Sequence, residues 1–201
     1  DHLICNVADV TYTSESSMLY TESEPQKAFY FVPKQTFLKK HDVPNFAVLC
    51  VSGNTYLNND GGNSVALIME QVNSENKIIA SRHKDMFGMP IAHIHLEPSP
   101  QDLINISKAT RMTEKLLKYE LGLVTTFSTH PHISTSETYL NEQKGHVYPW
   151  LHPTGTLSMN KVVDDNAQVM GTDNLFVCGG AVMPSSGYAN ITYTIIALAL
   201  K

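Results

Sequence analysis

Short apolar runs, each cut off by turn-forming residues, constrain this chain more than any other feature. Ala28-Phe29-Tyr30-Phe31-Val32 stops at Pro33, and Phe46 to Val51 stops at Ser52-Gly53-Asn54. Val65 to Met69 follows the turn-rich stretch Asn58-Asn59-Asp60-Gly61-Gly62-Asn63. Aromatic and β-branched residues pack well on a pleated surface, and Gly, Asn and Pro end such surfaces, so these runs predict strands. Ile91 to Leu96 alternates and places His93 and His95 on one face, the period of a half-exposed strand. The first hundred residues therefore predict a sheet.

One strong helix follows, predicted over 100–121. Ser99 suits the N-cap, Pro100 the first helical position, and Asp102 the positive helix end. Leu103, Ile106, Ala109, Met112, Leu116 and Leu117 recur at helical spacing, Glu114 and Lys118 form an i,i+4 pair, and Gly122 is the stop.

The last quarter changes character. Val162-Val163, Asp165-Asn166 and Gln168-Val169 predict a short hairpin. Leu175-Phe176-Val177-Cys178 is continuously apolar, which predicts a strand buried on both faces, as in a parallel sheet. It runs into Gly179-Gly180, a pair that lets another backbone or a ligand come close. Asn190 and Thr192 are both suited to cap a final helix that is apolar on all sides and so expected to be deeply buried.

Composition narrows the function classes. The 201 residues are 42% hydrophobic and 16% charged, enough for one large domain or two small ones and unlike a disordered chain. Fourteen Lys and Arg stand against 19 Asp and Glu, a net charge of −5, without the basic excess of a nucleic-acid binder. The longest apolar run, Ile195 to Leu200, falls far short of the ~20 residues of a membrane helix. Cys5, Cys50 and Cys178 are too scattered for a disulfide framework or a thiolate zinc cluster. The compartment stays open between cytoplasm and periplasm. Two glycosylation sequons occur, Asn105-Ile106-Ser107 and Asn190-Ile191-Thr192, and the second is read as chance.

Candidate chemistry is sparse at single residues. His93 and His95, with Glu97 on the same face, could bind a metal, but a cupin-type site needs wider spacing and a further distant His. His130-Pro131-His132 reads as loop polarity, and Cys178 as a small buried hydrophobe. Ser185-Ser186-Gly187 lacks a nucleophile elbow, and no phosphate-binding Gly-rich loop occurs. No metal site is assigned.

Two segments stand out together. One is Trp150-Leu151-His152-Pro153-Thr154-Gly155-Thr156-Leu157-Ser158-Met159, and the other runs from Asn174 through Gly179-Gly180-Ala181 and Pro184 to Gly187-Tyr188-Ala189-Asn190-Ile191-Thr192. With Val162-Val163-Asp164 between them, they resemble the C-terminal signature of the glucose–methanol–choline (GMC) oxidoreductases. In that family a His-x-x-Gly-Thr-x-x-Met motif is followed by Val-Val-Asp, an Asn-Leu-x-Val strand, a Pro, and an Asn or His that pairs with the first His. Gly187 to Asn190 is most similar to the pyranose oxidases and glucoside 3-dehydrogenases. So is Lys84-Asp85-Met86-Phe87-Gly88-Met89-Pro90, and Asp1-His2 resembles the end of an upstream element. Ile191 stands where the family usually has Pro, Asn160 where Gly is common, and Leu157-Ser158 where Thr-Arg is typical.

The resemblance implies an α+β fold. Residues 1–150 would form a substrate domain with a large mixed or antiparallel sheet backed by helices. Residues 151–201 would complete a flavin-binding α/β domain whose N-terminal FAD-binding half, with its dinucleotide fingerprint, lies outside this chain. Both ends accordingly read as cut, and the chain is expected to be inactive by itself. The implied cofactor is FAD, and the implied reaction is hydride transfer to flavin N5 from a CH–OH group of a sugar or alcohol. His152 would be the base and Asn190 the group that orients the hydroxyl. Gly179, Gly180 and Ala181 would approach the flavin, with Ile191 and Thr192 near the pyrimidine end of its ring. The electron acceptor stays open among dioxygen, a quinone and a cytochrome. Two rival readings remain beside it: a non-catalytic, strand-rich binding module, and a metal enzyme using His93 and His95.

Overall fold

The computed structural model describes residues 2–12, 28–52, 63–71, 75–129, 147–149 and 152–201. Gly53-Asn54, most of the 58–63 turn, His130-Pro131-His132 and Trp150-Leu151 lie outside the described residues.

Eight strands form. β1 (His2–Tyr12), β2 (Ala28–Phe31), β3 (Phe46–Ser52), β4 (Asn63–Glu70), β7 (Val124–Thr129) and β8 (Tyr148–Pro149) make one antiparallel sheet in the order β2-β3-β4-β1-β7, with β8 pairing the start of β1. β5 (Lys77–Lys84) and β6 (Pro90–His95) form a separate two-stranded hairpin. The strands expected at 28–32, 46–51, 65–69 and 91–96 are all present. β1, β5 and β7, and the short helix α1 (Gln35–His41), were not among the expected elements.

Helix α2 (Pro100–Glu114) begins as expected. The Ser99 hydroxyl accepts the Asp102 N–H at 3.1 Å and the Asp102 carboxylate accepts the Ser99 N–H at 2.7 Å, a reciprocal capping box. The helix then widens into a π-helical turn over Lys115–Glu120 and stops at Gly122, whose φ is +60°. Widening moves each side chain's neighbour from i+4 to i+5, and the ion pair that forms is Lys115 to Glu120, at 3.4 Å.

Alternation along the strands divides the sheet's residues between two faces. Leu3, Cys5, Val48, Cys50, Val65, Leu67 and Met69 form the main core with Leu103, Ile106, Ala109 and Leu117 of α2 and its π turn. The other face carries Leu49, Val51, Ala66 and Ile68, and Tyr188 from the C-terminal segment packs against them. In β1 a bulge between Asn6 and Ala8 shifts the register, so that both Val7 and Ala8 point into the main core. Asp9 and Thr11 then face away from α2.

The C-terminal segment differs from expectation in two places. Leu175 to Cys178 is not a ladder strand: Phe176 makes a single antiparallel bridge to Gln168, and Leu175 and Phe176 are 52% and 59% exposed. Helix α3 (Thr192–Ala199) has no buried residue, and Tyr193, Ile196 and the adjoining Leu200 are exposed. The reason is the same for both. Burial on every side needs packed neighbours on every side, and the described residues supply them on one side only.

Candidate functional site

The site is built by two loops tied together through their backbones. In the first, Gly155 takes φ +82°, a left-handed conformation that favours glycine, and turns the chain after His152-Pro153-Thr154. The Leu157 N–H then donates to the Ala181 carbonyl at 2.9 Å and the Met159 N–H to the Val182 carbonyl at 2.8 Å. Asn160 has φ +62°, a conformation Asn tolerates and Gly favours, which explains the residue choice after the Met. The expected hairpin is present between Val162 and Val169. The Asp164 carboxylate holds its turn by accepting the Asn166 and Gln168 N–H groups, each at 2.9 Å.

The second loop meets the first at Gly180. A Cβ placed on Gly180 would lie 2.7 Å from the Pro153 carbonyl oxygen and 2.8 Å from Ile191 Cδ1. Pro153 follows His152 in the chain, and Ile191 follows Asn190. Gly180 is therefore the backbone against which both neighbours of the expected catalytic pair rest. His152 is half-buried and Asn190 exposed. Tyr188, two residues before Asn190, lies on the Leu49/Val51/Ala66/Ile68 face of the sheet, which brings that face to the same site.

Helix α3 starts beside this junction. Its N-cap is Ile191, with helical backbone angles and no side-chain cap, so neither Asn190 nor Thr192 caps it. The side chain of Ile191 is buried, and its carbonyl accepts the Ile195 N–H at 3.0 Å. The first N–H groups of any helix lack partners within it, and here they begin at the exposed Thr192. Gly179, Gly180 and Ala181 stand opposite, where a short 3₁₀ turn runs over Gly180–Val182. A Cβ on Gly179 would meet nothing within 4 Å, so this bare backbone is open to a ligand. An open glycine backbone beside the start of a helix suits a planar, polar-edged group such as a flavin ring. The glycine next to it is required by packing within the chain.

The remaining candidates are separate from this junction. His95 faces Lys77 and His93 faces Ile79 on the exposed β5–β6 hairpin, and no group of three or more His, Cys, Asp or Glu comes together among the described residues. Asp85 closes that hairpin by accepting the Phe87 and Met89 N–H groups, each at 2.9 Å. Cys178 is exposed rather than buried, and its thiol donates to the Ile195 carbonyl at 3.4 Å. Burial pushes the Cys5 and Cys50 thiols up to about 12, which leaves them neutral. Asn105 is buried within α2, so its sequon is inaccessible. Asp9, Ser64 and Ser128, which share the site-facing side of the sheet, had no sequence signal. Their side is fixed by the bulge in β1 and the strand register.

An antiparallel sheet with a helix on one face and the Tyr188 segment packed on its other face defines an α+β domain. Residues 72–199 match the family model described as GMC oxidoreductase, and the chain belongs to that family. It is 27% identical over 140 residues to paromamine 6'-oxidase of Streptomyces fradiae, covering 67% of this chain and 23% of that protein. It is 30% identical over 138 residues to 6'''-hydroxyparomomycin C oxidase of Streptomyces lividus, with the same coverage. Among solved structures it resembles pyridoxine 4-oxidase from Mesorbium loti, with a TM-score of 0.59 and 18% identity over 99% of this chain and 41% of that one, a likeness of fold. The chain thus spans under a quarter of the length of these curated relatives. Among the described residues no helix is long and apolar enough to cross a membrane.

Proposed function

We propose that this chain is the substrate-facing part of a FAD-dependent oxidoreductase that oxidises a CH–OH group of a sugar or glycoside. Residues 1–150 supply the substrate sheet and 151–201 the flavin-facing segment. When bound, FAD supplies an acceptor for the hydride that leaves carbon. His152 takes the hydroxyl proton as the C=O bond forms, a role that suits a neutral imidazole near its working pH. Asn190 hydrogen-bonds the same hydroxyl and fixes the C–H bond toward the cofactor. The backbone at Gly179, Gly180 and Ala181 and the N–H groups that begin at Ile191 and Thr192 hold the ring and favour negative charge on it.

The observation that carries this reading is the Gly180 junction, which seats the residues after His152 and after Asn190 on one backbone. The names of the two curated relatives, a paromamine 6'-oxidase and a 6'''-hydroxyparomomycin C oxidase, support a sugar-like substrate. In the full-length protein, anaerobic mixing with substrate should bleach the flavin, and His152→Ala should slow that bleaching ~100-fold while flavin stays bound. An unchanged rate would remove His152 as the base.

A further inference from the structure

A cavity of about 510 Å³ opens on the α2 side of the sheet, opposite the side on which Tyr188 packs. Buried Phe46 and Val48 of β3 line it from the sheet. Phe31 of β2, Phe37 of α1, Met112 of α2 and Leu116 of the π turn complete a mainly apolar lining. Small-molecule sites typically enclose roughly 300–1,000 Å³ and are lined in this way.

Two features single this cavity out. The first is the π turn. Leu116 and Leu121 are five residues apart, as are Lys115 and Glu120, and both members of each pair line the cavity. An α-helix brings residues three or four apart onto one face, so an α-helical continuation would turn one of each pair away. The wider turn closes where the Leu121 N–H donates to the Leu116 carbonyl at 2.8 Å. Turns of this kind are rare and often mark functional sites. The second is the opening itself, where Val32, Phe37 and Leu121 are large apolar side chains left exposed.

Charge narrows the ligand. The charged residues of the lining are Lys34, Lys115 and Glu120, and Lys115 pairs with Glu120 at 3.4 Å. The Lys34 ammonium has no partner among the described residues. His41 also lines the cavity, with an imidazole that can donate a hydrogen bond.

We propose that this cavity binds an aromatic monocarboxylate, its ring system among Phe31, Phe37, Phe46 and Met112 and its carboxylate on Lys34. Aromatic walls favour an aromatic body through edge and offset contacts, and the Met112 thioether adapts to its shape. One uncommitted cation at an apolar opening selects one negative charge, and a carboxylate accepts from an ammonium and an imidazole N–H alike. The inference goes beyond the oxidoreductase reading and does not depend on it.

The test is calorimetric titration of the full-length, flavin-loaded protein and its variants with 2-naphthoate and with 2-naphthamide, its neutral counterpart. Wild type should bind naphthoate about fivefold more tightly than naphthamide, and the preference should shrink as salt rises. Lys34→Gln, a change at an exposed residue, should erase the preference and leave naphthamide binding as it was. Met112→Trp should fill the cavity and weaken both ligands about tenfold with flavin content unchanged. No binding of naphthoate, equal binding of the two ligands by wild type, or a preference that survives Lys34→Gln would overturn the proposal. So would undiminished binding by a folded Met112→Trp protein. A failure of the oxidase reading would show in the flavin-bleaching assay and leave these titrations unchanged.

Discussion

Gly180 and Pro153 approach so closely that a Cβ on the glycine would stand 2.7 Å from the proline's carbonyl oxygen. No side chain can occupy that space without moving the loop that carries His152. Gly180→Ala should therefore cost about 1–3 kcal/mol, the scale of overpacking a tight contact. It should also lower turnover more than it changes flavin content. Thermal melts and single-turnover flavin reduction on the full-length protein check both effects. A variant with wild-type stability and rate would show that the contact relaxes freely.

Asn190 is exposed and does not cap α3, so its amide is available for a role outside the helix. Asn190→Asp should slow flavin reduction more than Asn190→His. The carboxylate places a negative charge where negative charge develops, whereas an imidazole keeps a hydrogen-bonding group. Stopped-flow reduction rates compare the two, and equal rates for Asp and wild type would place Asn190 away from the reacting centre.

The three cysteines divide by burial. Cys178 is exposed, whereas Cys5 and Cys50 are buried, with their thiols pushed up to about 12. At pH 8 a thiol reagent should modify Cys178 quickly and leave the others until the protein unfolds. The linkage has a definite sign. The folded state keeps these protons between the ordinary value of 9 and about 12, so it binds more protons than the unfolded state there. The stability tied to these thiols is complete below about pH 9 and is lost as pH rises toward 12. Denaturation midpoints of wild type and Cys5→Ala across that range should converge.

Helix α3 presents Tyr193 and Ile196 to solvent, beside the exposed Leu175 and Phe176 in the same segment. Apolar surface of this kind favours association. The 201-residue chain expressed alone should self-associate in sedimentation, and Ile196→Lys should shift it toward monomer. A wild-type chain that sediments as a single monomeric species would contradict this.

Local chemistry alone determined much of this protein. The β2, β3, β4 and β6 runs and the Ser99–Asp102 cap were legible because each depends on residues close in sequence. The order of motif residues from His152 to Asn190 carried the family, since it is a linear pattern. β1 was not legible, although it pairs with β4, β7 and β8. Its apolar alternation breaks at the bulge, and only pairing with β4 shows Val7 and Ala8 sharing one side. The π turn after α2 was equally hidden, because its side chains repeat almost as an α-helix would place them. Tertiary structure alone decided that Gly180 separates Pro153 from Ile191, that Tyr188 reaches the sheet, and that Ser64 and Asp9 share a row. These are contacts between distant segments, fixed by register and steric fit rather than by the preference of any single residue.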